Sequence, residues 1–136
     1  MRIILALLLS VWIGGVAAAF DDDDRATVQS MIEEQLQAFL ADDGARAYSF
    51  SAPGLKERFP TEAIFMEMVR KSYGPVYRPR NYSFGEPKES GGQLVQPVDI
   101  VDTDGVFWTA LYTLQEYDGA WLITGCLLLK KPGSSA

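Results

Sequence analysis

Residues 93–130 carry two Asp-Gly turns set between alternating apolar runs, and this stretch limits the fold more than any other. Asp-Gly in that setting is the strongest short-range hairpin signal. Two such turns in succession make three consecutive antiparallel strands. The first turn, Asp102-Thr103-Asp104-Gly105, has Asp at its first position and Gly at its fourth. That suits a type I turn followed by Gly in the left-handed region. Counting outward pairs Ile100 with Trp108, Val98 with Ala110, Gln96 with Tyr112 and Leu94 with Leu114. A loop one residue shorter would set Asp99 beside Trp108 and Ala110. A one-residue slip exchanges the faces of a whole strand. Burying an amide costs less than burying a carboxylate, so the longer loop is expected.

The second turn, Tyr117-Asp118-Gly119-Ala120, suits a two-residue type I′ loop. It pairs Leu114 with Ile123, Tyr112 with Gly125, Ala110 with Leu127 and Trp108 with Leu129. Gly125 would leave room for the Tyr112 ring. Gln96, Trp108, Tyr112 and Trp121 then share an inner face with Leu94, Val98, Ile100, Ile123, Leu127 and Leu129. The outer face carries Val95, Val101, Phe107, Leu111, Leu122, Cys126 and Leu128. A contiguous apolar patch of this kind usually marks an interface. A homodimer is expected through it, with Phe107, Leu111, Cys126 and Leu128 at its centre. Cys126 is the single cysteine, so it is either a buried inert thiol or an intermolecular bridge.

Composition excludes several classes. The chain of 136 residues has no histidine and a net charge of −6. Its pI near 4.6 argues against general nucleic-acid binding. Without histidine it lacks the commonest general base and metal ligand. No nucleotide, metal or nucleophile motif is present, and no cofactor is expected.

Residues 1–19 have the pattern of a secretory signal peptide: Arg2, an apolar run, then Ala17-Ala18-Ala19. The run is short for a membrane span, which needs about 20 residues. Export to the periplasm or medium is expected, with no membrane attachment after cleavage. Residues 20–131 then form one α+β domain, and residues 132–136 a flexible tail.

Helices fill the first half. Asp21-Asp22-Asp23-Asp24 suits helix capping better than calcium, because consecutive carboxylates rarely converge. Val28, Ile32, Leu36, Phe39 and Leu40 recur at helical spacing over residues 25–41. Asp42-Asp43-Gly44 ends that helix and caps the next, over residues 45–51. Pro53-Gly54 reads as a break, followed by one turn at residues 55–59. A helix over residues 61–72 carries Ile64, Phe65, Met68 and Val69, and Gly74-Pro75 stops it. Residues 73–84 interleave Tyr73, Tyr77, Tyr82 and Phe84 with Arg78 and Arg80 along an extended path, and residues 81–84 suit an edge strand. Residues 86–92 read as a polar turn.

Helices first and an antiparallel sheet after is an α+β pattern. Asp42-Asp43-Gly44-Ala45-Arg46-Ala47, Ala52-Pro53, residues 65–73 running into Gly74-Pro75-Val76-Tyr77, and residues 108–112 followed by Asp118-Gly119-Ala120-Trp121-Leu122-Ile123 resemble an uncharacterised family of small exported bacterial proteins. That family is similar to the nuclear transport factor 2-like (NTF2-like, or cystatin-like) superfamily. The resemblance implies a cone: helices packed in the concave face of a curved antiparallel sheet, with a pocket between. It also implies pairing through the outer sheet face.

Two functions follow from these readings. The first is a non-catalytic module holding a small apolar or weakly polar ligand, or a partner, with Gln96, Tyr112, Trp108, Trp121 and Tyr73 around the pocket. The second is an enzyme of the isomerase or dehydratase type. A buried tyrosine would donate to an oxyanion, and Asp42, Asp43 or Asp99 would supply the base. Arg78, Arg80, Tyr77 and Tyr82 form a separate candidate surface for a carboxylate, a phosphate or an acidic partner. The simpler reading of those arginines is pairing with the chain's own carboxylates.

Overall fold

The computed structural model describes residues 20–135. The signal peptide expected over residues 1–19 lies outside the described residues. Helix α1 (Asp22–Leu40) starts at Asp21, whose carboxylate accepts from the Asp24 N–H at 2.8 Å. The Asp24 carboxylate accepts in return from the Asp21 N–H, closing a capping box. The aspartate run therefore begins a helix, and among the described residues no acidic cluster could hold a metal ion. Val28, Ile32, Leu36 and Phe39 are buried along one face of α1.

Asp43 caps α2 (Gly44–Ser49) through the Arg46 N–H. Pro53 opens α3 (Pro53–Arg58) rather than breaking a helix. Its missing N–H falls in the first turn, where no helical partner exists. The helix before Gly74-Pro75 stops where expected, and the same logic then applies to Pro75. After α4 (Glu62–Ser72), Pro75 sits in the first turn of a short α5 (Gly74–Tyr77). The extended path begins only at Pro79.

The strands are β1 (Pro79–Phe84), β2 (Lys88–Ser90), β3 (Gln93–Asp102), β4 (Val106–Tyr117) and β5 (Ala120–Ser135). Among the described residues they form one antiparallel sheet in the order β1-β3-β4-β5, with β2 also pairing β3. The polar turn expected at residues 86–92 thus contains a strand, and the tight turn is Gly91-Gly92, both at positive φ. β1 and β2 are two pieces of one edge, interrupted opposite Gln96 and Pro97. Proline has no N–H to give a ladder, so its place opposite the gap leaves no donor unmatched. There the Gly85 N–H donates to the Pro97 carbonyl at 2.9 Å.

The first hairpin has the expected register, with Gln96 opposite Tyr112 and Ile100 opposite Trp108. Gly105 takes φ +79°, and its N–H donates to the Asp102 carbonyl. The Asp102 carboxylate also accepts from the Asp104 and Val106 N–H groups and from Trp108 Nε1, all at 2.9 Å. The second turn has positive φ at both Asp118 and Gly119, as type I′ requires.

Beyond Leu114–Ile123 the register departs from expectation. A bulge at Thr124-Gly125 places Gly125 opposite Thr113, Cys126 opposite Tyr112, Leu128 opposite Ala110 and Lys130 opposite Trp108. Thr124 donates to the Thr113 hydroxyl at 2.8 Å, and a Cβ on Gly125 would stand 3.3 Å from that same oxygen. Both bulge residues therefore face outward. The parity of the rest of β5 inverts. Cys126 and Leu128 turn in against the core, while Leu127 and Leu129 are exposed. Cys126 and Leu128 thus leave the expected dimer face, whereas Phe107 and Leu111 remain on it. β5 also runs to Ser135, whose backbone pairs Val106 beyond a register shift after Lys130.

The helices pack on the inner face of the sheet. Leu94, Val98, Ile100, Ala110, Tyr112, Leu114 and Ile123 join the buried residues of α1 and α4 in one core. β5 is also held near Ile123, whose N–H donates to Phe50 and whose carbonyl accepts from Ala52, both at 2.8 Å.

Candidate functional site

A cavity of about 470 Å³ opens between the helices and β5. α1 contributes Gln35 and Phe39, and α3 contributes Leu55 and Arg58. Phe65, Met68 and Val69 come from α4, and Tyr73 and Val76 from the junction with α5. The sheet supplies Tyr112, Ile123 and Cys126. Val95, Leu111, Thr113 and Leu127 border the same space from the outer face. The two sets meet at Gly125, where the missing side chain thins the sheet. The volume is shared between the two sides.

Besides Arg58, the polar side chains on the inner wall are Gln35, Tyr73, Tyr112 and Cys126. Tyr112 is only 1% exposed, and among the described residues its hydroxyl has no hydrogen-bond partner. Burial pushes that phenol well above its ordinary pKa, with Cys126 and Tyr73 adding to the shift. That hydroxyl borders the open space of the cavity; among the described residues, the fully enclosed side-chain oxygen left without a partner is that of Ser51. Tyr73, by contrast, donates to the Cys126 carbonyl at 2.8 Å. Its pKa is also raised by burial, and Arg58 opposes that rise. The Cys126 thiol is pushed up to about 12 by burial alone. It is half-buried by surface area, and its open side borders the cavity. The thiol is consequently protonated and unreactive at neutral pH.

Of the expected pocket residues, the structure brings Tyr112 and Tyr73 to the wall. Gln96 is opposite Tyr112 in the ladder and fully buried, but its amide points away to other partners. It donates at 2.8 Å to the Gly85 and Pro97 carbonyls and accepts from Gln29 at 3.3 Å. Trp108 is held by Asp102, and Trp121 packs against Phe20 with ring centroids 5.1 Å apart. Neither tryptophan lines the cavity. Sequence reasoning missed Gln35 and Arg58. Gln35, 3% exposed on the buried face of α1, donates to the Ala47 carbonyl. Its spacing, three residues after Ile32 and seven after Val28, was the available signal.

The candidate bases lie elsewhere. Asp99 is on the outer face, bound by Lys131 and Thr109 at 2.9 Å each. Asp43 caps α2, and Asp42 is on the surface with Tyr77 and Arg78. Arg78 lies 3.9 Å over the Tyr77 ring and donates to Asp42 at 2.9 Å and to the Phe39 carbonyl at 2.6 Å. Hydrogen bonds from Tyr77 first and Arg78 second hold the Asp42 carboxyl below its usual range. Arg78 and Tyr77 are therefore joined in a local cluster. Tyr82 accepts from Gln37 and donates to Glu33, and Arg80 is exposed on β1.

These features define an α+β protein in which five helices, among the described residues, pack on a curved antiparallel sheet around an apolar cavity. Residues 21–136 match the model of a family described as a domain of unknown function, DUF4864, and the chain belongs to that family. Comparisons with curated proteins and with solved structures return no match.

Proposed function

We propose that this chain is a non-catalytic module that holds a small, largely apolar ligand in the cavity between its helices and β5. The Tyr112 hydroxyl carries the reading. It belongs to a residue that is only 1% exposed, lacks a partner among the described residues, and borders the cavity. A ligand atom that accepts or donates there would remove the cost of leaving it unpaired. Apolar walls with a few fixed polar groups are the usual character of small-molecule sites. The isomerase-type alternative has less support, since Asp42, Asp43 and Asp99 all stand off the cavity wall. Native mass spectrometry of the purified protein tests the proposal. An adduct released on denaturation is expected. A bare protein that no apolar compound stabilises against heat would overturn it.

The same reading includes an NTF2-like cone, export after removal of residues 1–19, and pairing with a second copy. Helices on the concave side of the sheet support the first. Arg2, the apolar run and the three alanines support the second. The pairing surface is Phe107, Leu111 and the exposed Leu127 and Leu129. Sedimentation of the parent and of Leu111→Glu tests it: a dimer dissociated by the charge is expected, and a monomeric parent would refute the pairing.

A further inference from the structure

Resting on the ligand-binding reading above, we infer that the ligand is an apolar carboxylic acid whose carboxylate sits on Arg58 at the cavity mouth. Arg58 is the single charged side chain on the cavity wall. It is solvent-exposed, so it marks where the cavity meets water. Among the described residues no ion pair or hydrogen bond engages it. Five other cations among the described residues are already matched: Arg25 with Glu86, Arg46 with Glu34, Lys71 with Glu67, Arg78 with Asp42 and Lys131 with Asp99, and none of these borders the cavity. Arg58 is held over the Phe59 ring, 5.6 Å from its centroid. That contact limits the arm's freedom and leaves the guanidinium edge open. Phe59 is itself fixed, because its carbonyl accepts from the Tyr48 hydroxyl at 2.6 Å.

The charge pattern narrows the class of ligand. The chain has a net charge of −6, yet no carboxylate lines this cavity. A cationic ligand would find no counter-charge inside and Arg58 at the entrance. A neutral lipid would leave the guanidinium unused. An acid matches both parts, because a guanidinium binds a carboxylate through two parallel hydrogen bonds. The apolar body would lie along Phe65, Met68 and Val69. A polar atom at its far end would meet the Tyr112 hydroxyl.

Calorimetric titration with decanoate, decanol and decylamine tests the inference. Decanoate should bind about tenfold more tightly than decanol, the equivalent of one charge-assisted hydrogen-bond pair. Decylamine should bind most weakly. Arg58→Gln should erase the advantage of decanoate and leave decanol unchanged, and Arg58→Lys should restore part of it. High salt should shrink the advantage in the parent, since Arg58 is exposed. Arg58 is a surface residue of α3, so unchanged melting of both variants is expected and shows that they fold. Equal binding of decanoate and decanol would overturn the acid and leave the cavity reading standing. An advantage that survives Arg58→Gln would overturn the role of Arg58. Failure of all three compounds to bind would overturn the cavity reading together with this one.

Discussion

Gln96→Leu should destabilise the fold without touching the cavity. The leucine removes three hydrogen bonds: two donated to the Gly85 and Pro97 carbonyls and one accepted from Gln29. Their consequences differ. The Pro97 carbonyl keeps the Gly85 N–H at 2.9 Å. Gln29 is half-buried and can turn to water. The Gly85 carbonyl loses its side-chain partner at a half-buried position, and a stranded acceptor costs about 1–3 kcal/mol. The two other bonds are each worth about 1 kcal/mol net, and leucine recovers a similar amount through apolar burial. A net loss of about 2 kcal/mol follows, or a fall in melting temperature of roughly 8 °C for a domain of this size. Urea unfolding should show a lower midpoint at unchanged slope. Decanoate affinity, normalised to folded protein, should be unchanged. A loss under about 0.5 kcal/mol would refute the reasoning, because it would mean the Gly85 carbonyl reaches water and the amide does not complete the broken edge.

Tyr112→Phe should act in the opposite sense on stability. Removing a hydroxyl that has no protein partner should raise the melting point of the ligand-free protein by the equivalent of up to about 1 kcal/mol, while weakening 10-hydroxydecanoate more than decanoate. A destabilised variant would show that the hydroxyl is already paired. Asp99 gives a pH test. The hydrogen bond from Lys131, aided by Thr109, holds its carboxyl below the usual value. A depressed folded pKa stabilises above the unfolded value of about 3.9 and is lost as pH falls through the folded one. Asp99→Asn should therefore melt lower than the parent at neutral pH, and the two curves should converge in acid. A gap that stays constant down to low pH would exclude this pairing as its source.

The hairpin registers were legible because turn chemistry fixes them locally. Asp102 and Gly105 specify one loop, Asp118 and Gly119 another, and each sets its neighbours by counting. The caps at Asp21 and Asp43 were legible for the same reason. The second half of β5 was not. Cys126-Leu127-Leu128-Leu129 is apolar at every position, so burial assigns it no face, and register is weakly specified where both parities bury equally well. Gly125 inside a strand was the signal for the bulge, and it also fits the reading of space left for a ring. The pocket was half legible. Tyr112 follows from the register, but Arg58 and Gln35 reach the wall through packing between helices distant in sequence. Gln96 was placed correctly in the ladder, and its amide is consumed by a chain break that no local pattern announces.

The two rims of the sheet have unequal capacity for growth. The β1–β2 rim is split in two, carries Pro79 and a second bulge before Asn81, and ends on the charged Lys88 and Glu89. Short, interrupted and charged rims resist docking by another chain's backbone. The β5 rim is long, and among the described residues it is bridged only near Ile123 and by Tyr73 at the Cys126 carbonyl. The first rim is thus a poor template for another backbone, and any strand added to this sheet would have to come at the β5 side.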